Sequence, residues 1–199
     1  QFHNIEHHRA HLASAFYVSP FEKAALLSID GFGDFISTMF GVGDGNTIEV
    51  LGQVEYPHST GILYTATTQF IGFPYYGDEG KVMGLAPLGR DTYTEFFERI
   101  LKHTKKGFEL NPEYFLPFGA NQGMEINERG EMVVHRLYSD KFIEELGPPR
   151  EKHAEITQRD MDAAFGLQQA FEKYYMHMLN LLHRQVPTEK ISMAGGCAL

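Results

Sequence analysis

The apolar positions of this chain change period along its length. From Ala24 to Ile29 they form a nearly continuous run, which reads as a buried strand from Lys23 to Asp30 with the aspartate at its C-terminal end. Gly31 and Gly33 then permit a tight turn. Residues 35 to 42 alternate, Gly43-Asp44-Gly45-Asn46 is a strong turn signal, and Thr47 to Tyr56 forms a third strand, so the pattern predicts an antiparallel meander. Ahead of the meander, residues 5 to 16 read as a helix that closes before Ser19-Pro20-Phe21. After it, Pro57 to Phe70 places Leu63, Thr67 and Phe70 at helical spacing, with Ser59 or Thr60 as the N-cap. Thr92 to Lys105 predicts an amphipathic helix with Phe96, Phe97, Ile100 and Leu101 inward and a basic end that the helix dipole favours.

The second half of the chain is read in the same way. Residues 105 to 155 hold a predicted hairpin insertion, signalled by Asn127-Glu128-Arg129-Gly130 before the run from Glu131 to His135. Leu137 to Leu146 predicts a short helix ahead of Gly147-Pro148-Pro149. The longest helix is expected from Thr157 to Gln185, where Ala164, Leu167, Phe171, Tyr174, Met178 and Leu181 make a core-packing stripe. Pro187 ends it, and Lys190 to Met193 is a strand feeding the glycine-rich turn Ala194-Gly195-Gly196-Cys197.

Composition narrows the function. At 199 residues the chain suits one domain with a substantial core, or a large part of a bigger one. A net charge of -9, from 17 basic and 26 acidic residues, argues against a broad nucleic-acid surface. Cys197 stands alone, so no internal disulfide forms and a cytoplasmic location is expected. No run reaches the apolar length of a membrane span, and no signal peptide is visible. The chain opens at Gln1 and closes in a glycine-rich turn that would ordinarily lead into a helix, so residues 1 to 199 read as an internal fragment of one domain. Apolar surface bared by such an excision favours a homodimer.

Candidate chemistry centres on Ile5-Glu6-His7-His8-Arg9-Ala10-His11 and on Asp30-Gly31-Phe32-Gly33-Asp34. On a helix His7 and His11 stand at i and i+4 with Cβ atoms roughly 6 Å apart, a spacing that suits one divalent ion. Asp30, at a strand's C-terminal end, is the natural carboxylate ligand. A surface histidine pair is the other reading. A zincin is excluded, because His8 occupies the place its general-base glutamate needs. Asp34 closes an Asp-Gly-x-Gly-Asp turn of the kind that opens the phosphate-binding halves of sugar kinases and actin-like domains. It is a candidate cofactor contact, with an ordinary hairpin turn as the alternative. Lys81, in Asp78-Glu79-Gly80-Lys81, is a candidate catalytic contact to a phosphate or carboxylate, with a plain exposed lysine as the alternative.

Four stretches, HHRAHLASAF from His7, LSIDGFGD from Leu27, PHSTGILYTATTQFIGFPYYGDEGKVMGLAPLG from Pro57 and AGGCAL from Ala194, resemble in order and spacing the O-carbamoyltransferases of antibiotic and nodulation-factor biosynthesis. Their metal-binding domain is similar to that of the tRNA threonylcarbamoyltransferases and the hydrogenase-maturation carbamoyltransferase. The resemblance implies a partial actin-like, sugar-kinase-like α/β domain with an antiparallel meander, a mixed sheet and packed helices. It implies that His7, His11 and Asp30 bind iron or zinc, that His8 contacts carbamoyl phosphate, and that Gly195 and Gly196 face ATP. It further implies that a carbamoyl adenylate passes its carbamoyl group to the hydroxyl of a small acceptor. The last metal carboxylate and a C-terminal carrier-like domain are expected beyond Leu199, so the 199 residues are expected to be inactive alone. An actin-like sugar kinase and a noncatalytic metal-binding module are the competing readings, and metal content separates both from this one.

Overall fold

Why the central strand is buried is clear from its neighbours. In the computed structural model, which describes residues 2–116, 124–130 and 132–198, strand β1 (Lys23–Gly33) is flanked on both edges. On one side lies β2 (Ile36–Asp44), antiparallel, followed outward by β3 (Thr47–Glu55). On the other lies β8 (Ile191–Ala194), parallel to β1, giving a mixed sheet in the order β3-β2-β1-β8. A strand with no free edge and both faces covered is largely apolar, and Ala24 to Ile29 are all buried, Ser28 being the polar exception.

The chain divides into two compact units, the first made of Gln1–Gly61, His103–Leu110 and Lys173–Leu199. In it, helix α1 (His7–Phe16) lies on one face of the sheet, where Leu12 and Phe16 pack with Ala24, Leu26, Ile36 and Met39. Successive strand residues point to opposite faces, so Ala24, Leu26, Ser28 and Asp30 all face the helix. The opposite face receives Tyr174, fully buried, whose hydroxyl lies 3.0 Å from that of Thr38. Tyr174 and Met178 come from α6 (Gln158–Gln185), the long helix the apolar stripe predicts.

Two expected elements differ. Strand β1 runs on to Gly33, with an irregularity between Ile29 and Gly33, and Gly33 pairs with Ile36. Only Asp34 and Phe35 remain for the turn, and a two-residue hairpin loop of this type needs positive φ at both, here +50° and +63°. The helix expected from Thr92 to Lys105 is α4 (Thr94–Ile100) alone. Leu101 turns extended and starts β4 (Leu101–Thr104), which pairs with β5 (Gly107–Leu110) across Lys105 and Lys106, so the lysines mark a hairpin rather than a basic helix end. Gly107 makes this possible with φ of +149°.

The second unit, Ile62–Lys102 and Asn111–Glu172, is built around aromatic rings. Phe70 of α2 (Thr60–Phe70) meets Phe142 of α5 (Asp140–Leu146) at 5.2 Å between centroids, and Phe96 of α4 meets the same ring at 5.3 Å. The unit also holds α3 (Glu79–Leu85) and the hairpin of β6 (Met124–Ile126) with β7 (Met132–Val134). Residues 117–123 of the expected insertion, Glu131 at the start of its apolar run, and the terminal Gln1 and Leu199 lie outside the described residues.

Packing of α1 is testable. Phe16 is buried against Gly43, where a Cβ would come within 2.6 Å of the ring. Phe16→Ala is expected to lower the unfolding free energy by about 3–5 kcal/mol in urea titration. A loss below about 1 kcal/mol would show that α1 is not docked as described.

Candidate metal centre

Helix α1 presents two adjacent ridges. Residues 8, 12 and 16, each four apart, form the buried one, and His7 and His11 form the next, turned by one residue toward the end of β1. His8 fixes this rotation. It is fully buried, its Nε2 lies 2.7 Å from the Ile36 carbonyl oxygen, and its Nδ1 lies 2.8 Å from the Ser28 hydroxyl. A carbonyl can only accept, so Nε2 carries the hydrogen and Nδ1 accepts from Ser28. Burial is the main influence on its pKa and lowers it, with the Ile36 carbonyl acting the other way. His8 is therefore a neutral anchor. The resemblance implies a contact between His8 and carbamoyl phosphate; in the structure the ring is fully buried and both its nitrogens are engaged inside the protein.

With the ridge so placed, His7 Nε2 and His11 Nε2 stand 3.0 Å apart, and Asp30 Oδ2 lies 3.1 Å from the first and 3.0 Å from the second. Hydrogen bonds alone serve this triangle poorly, because two imidazoles that both donate to Asp30 turn their N–H groups toward each other. One cation uses all three lone pairs. At bond lengths of about 2.1 Å, adjacent ligands at right angles are about 3.0 Å apart, which fits the donors found. Among the described residues this is the one group of three or more such side chains so disposed. Each is partly accessible, with the His7 side chain 40% and the Asp30 side chain 26% exposed.

Asp30 is prepared for the role. Its Oδ1 accepts the Gly31 N–H at 2.7 Å, leaving Oδ2 to the histidines. Partial burial works to raise its pKa, but hydrogen bonds from His7, the Gly31 N–H and His11 outweigh it and hold the carboxyl below its ordinary value.

Other expected residues fall in different places. Gly195, with φ of +96°, packs where a Cβ would overlap the Ile29 carbonyl, and a Cβ on Gly196 would lie 3.1 Å from Asp30 Oδ1. The double-glycine turn thus follows β8 directly alongside the carboxylate. Asp34, the expected cofactor contact, lies exposed at the β1–β2 turn, where its Oδ2 accepts the His7 backbone N–H at 2.8 Å. Lys81 belongs to the second unit, pairs with Asp78 at 2.6 Å and stands 5.4 Å over the Phe73 ring.

Several contributors were not read from the sequence. Glu6 caps α1 by accepting the His8 N–H, Gly33 leaves the space the His7 ring fills, and Gly61 lets α2 approach Gly31. The Ser59 hydroxyl donates to the Gly31 carbonyl. The signal for His8 was available in Ser28, a lone polar residue inside an apolar strand, which calls for a buried partner.

Two imidazoles one helical turn apart, joined by the carboxylate that ends a central strand, define a two-histidine, one-carboxylate centre on a mixed α/β sheet. The family model described as Carbamoyltransferase N-terminus matches residues 1–199, and the chain belongs to that family. It is 35% identical over 196 residues to the uncharacterized protein sll1178 of Synechocystis sp., an alignment covering 98% of this chain and 30% of that protein. It is 31% identical to nodulation protein NolNO of Sinorhizobium fredii over 98% of this chain and 25% of the relative. It is also 31% identical to nodulation protein NolO of Bradyrhizobium diazoefficiens over 98% of this chain and 31% of the relative. The chain therefore spans less than a third of the length of these relatives. No described helix is long and apolar enough to cross a membrane.

The His8 anchor has a pH signature. The unfolded chain takes up a proton near the ordinary value of 6.5, and the folded chain does so only at lower pH. Between the two the unfolded state binds more protons, so the contribution is full above the ordinary value and is lost as pH falls through it. Urea unfolding between about pH 7 and about pH 5 should show falling stability. His8→Gln should be less stable at neutral pH by about 1–3 kcal/mol and should show a shallower acid slope. Parallel slopes for the two proteins would rule out the anchor.

Proposed function

We propose that this chain is the metal-holding part of an ATP- and carbamoyl-phosphate-dependent O-carbamoyltransferase, acting in the cytoplasm, in which His7, His11 and Asp30 bind one divalent ion, iron or zinc. The observation that carries the reading is the triangle of donor atoms with edges of 3.0, 3.0 and 3.1 Å. Membership of the carbamoyltransferase N-terminus family supports the class of reaction.

An ion bound here supplies Lewis acidity, polarising a carbonyl or phosphoryl oxygen. The chain's own residues do the rest. Asp30 offers one oxygen while the Gly31 N–H holds the other, so the carboxylate reaches the ion in one orientation. His8 keeps the helix, and with it both ligating imidazoles, at fixed height over the strand. Gly195 and Gly196 bring bare backbone beside Asp30, a surface that suits a nucleotide phosphate approaching from the ends of β1 and β8. In this reading a carrier-like domain of the same protein forms carbamate from carbamoyl phosphate with release of phosphate, and ATP converts it to carbamoyl adenylate with release of pyrophosphate. The metal-holding part then passes the carbamoyl group to the hydroxyl of a small molecule with release of AMP.

Metal uptake is the first test. The wild-type chain is expected to take up one equivalent of zinc or ferrous iron, and His11→Ala to abolish uptake. His103→Ala should leave it unchanged, since His103 on β4 stacks on His177 at 4.6 Å. Protons compete with a metal ion for the ligating nitrogens, so uptake should weaken as the solution is acidified. Equal uptake by all three proteins in elemental analysis and calorimetric titration would overturn the assignment. A second test concerns the reaction itself. In a complete protein containing this domain, His11→Ala should reduce ATP- and carbamoyl phosphate-dependent transfer to a hydroxyl acceptor by at least about 100-fold, beyond the range seen for outer-shell changes. Transfer at the wild-type rate would remove the metal from the reaction.

A further inference from the structure

The turn between β1 and β2 adopts a conformation its sequence does not favour. Asp34 and Phe35 both take positive φ, +50° and +63°. Turns of this kind ordinarily carry Asn or Asp followed by Gly, because a Cβ is disfavoured there. Phe35 is nonetheless present, and its side chain is 75% exposed. Such backbone persists where the surroundings over-determine it. Here the Phe35 carbonyl accepts the Tyr56 N–H at 2.8 Å, and Asp34 Oδ2 accepts the His7 N–H at 2.8 Å. Gly33, the residue before the turn, has no Cβ where the His7 ring lies.

We infer that this turn is a clamp on His7 and that Asp34 is a positioning residue, setting the metal affinity of the centre without touching the ion. The inference rests on the assignment of His7, His11 and Asp30 as ligands. Its physical basis is an asymmetry between the two histidines. His11 sits one turn inside α1 and is held by the helix itself. His7 is the first helical residue, and its N–H is one of the donors that no helical carbonyl can serve. A first residue without an acceptor frays, and its ring then sweeps a range wider than the roughly 0.5 Å a metal site tolerates. Asp34 closes that freedom from the backbone side, while the glycine before it shapes the space for the ring. The carboxylate also suits the positive end of the helix. Glu6 does the equivalent for the next donor, the His8 N–H at 3.1 Å, so the two ridge residues that begin the site and the anchor are each capped by a different carboxylate.

Two variants separate positioning from stability, with cobalt(II) as the probe, read by its visible absorption, and urea unfolding measured alongside. Asp34→Gly removes the acceptor but accepts positive φ freely, so the unfolding midpoint should be kept while the cobalt dissociation constant rises about tenfold. Asp34→Asn keeps an oxygen in the same place and tolerates this backbone, so its cobalt affinity should return to within about twofold of wild type. Wild-type affinity in Asp34→Gly overturns the inference, as does a loss of affinity matched by a loss of stability. Asp34→Asn as weak as Asp34→Gly overturns it too, since the charge rather than the hydrogen bond would then matter. If the wild-type chain takes up no cobalt, the ligand assignment fails and the inference fails with it; uptake by wild type with unaltered variants refutes the inference alone.

Discussion

One buried imidazole sets the geometry of everything around it. His8 lies between the Ser28 hydroxyl and the Ile36 carbonyl, on two different strands, and a fully buried polar ring is tolerated because both nitrogens are satisfied. That pair of bonds fixes the rotation of α1 about its own axis and its position along the sheet at once. Turning the helix by one residue, about 100°, would expose His8 and bury a ligand. Sliding β1 by one residue would send Ser28 and Asp30 to the opposite face. The triangle of donor atoms is thus a by-product of the His8 anchor.

The electrostatics of the helix start agree with this arrangement. Asp34 and Glu6 accept the first two free N–H groups of α1, and Asp30 sits one strand step beyond Ser28. Three carboxylates near a helix N-terminus are favoured by its partial positive charge. Together they also make the site attractive to a cation, which neither the net charge of -9 nor the apolar sheet would by itself explain. Neutral His8 adds no positive charge to compete with an ion, because burial keeps its pKa below the ordinary value.

Much of this was legible in the sequence, and the reasons differ by element. The long helix was readable because six apolar residues repeat over it with strict spacing, and β1 because a nearly continuous apolar run ends in Asp30. The i, i+4 pair His7 and His11 declared its own face, and the family resemblance agrees with the family match over the whole chain. What local pattern missed was set by tertiary contacts. Leu101 continues the apolar face of α4 yet leaves the helix to pair with β5, since pairing and turn geometry outweigh a weak helical preference. The turn was assigned to Gly31 and Gly33, because glycine signals a turn in sequence; here Gly33 instead leaves space for the His7 ring, and Asp34 and Phe35 make the turn. His8 was read together with His7 and His11 because nothing local shows which of three histidines within five positions points inward.

The choice of aspartate at position 30 follows from what surrounds its two oxygens. Oδ1 is held by the Gly31 N–H at 2.7 Å, and Gly196 leaves open the place where a Cβ would lie 3.1 Å from the same atom, so the carboxylate keeps one orientation toward the histidines without crowding. Glutamate is longer by one carbon–carbon bond, about 1.5 Å, roughly three times the displacement a metal site tolerates. To fit, it would have to displace the imidazoles that His8 and Asp34 hold in place, or the backbone of the double-glycine turn. The length of the side chain at position 30 is therefore set by the imidazoles in front of it and by the Gly31 N–H that holds its other oxygen. The backbone freedom that lets β8 turn sharply after Ala194 keeps the space beside that oxygen free of a side chain.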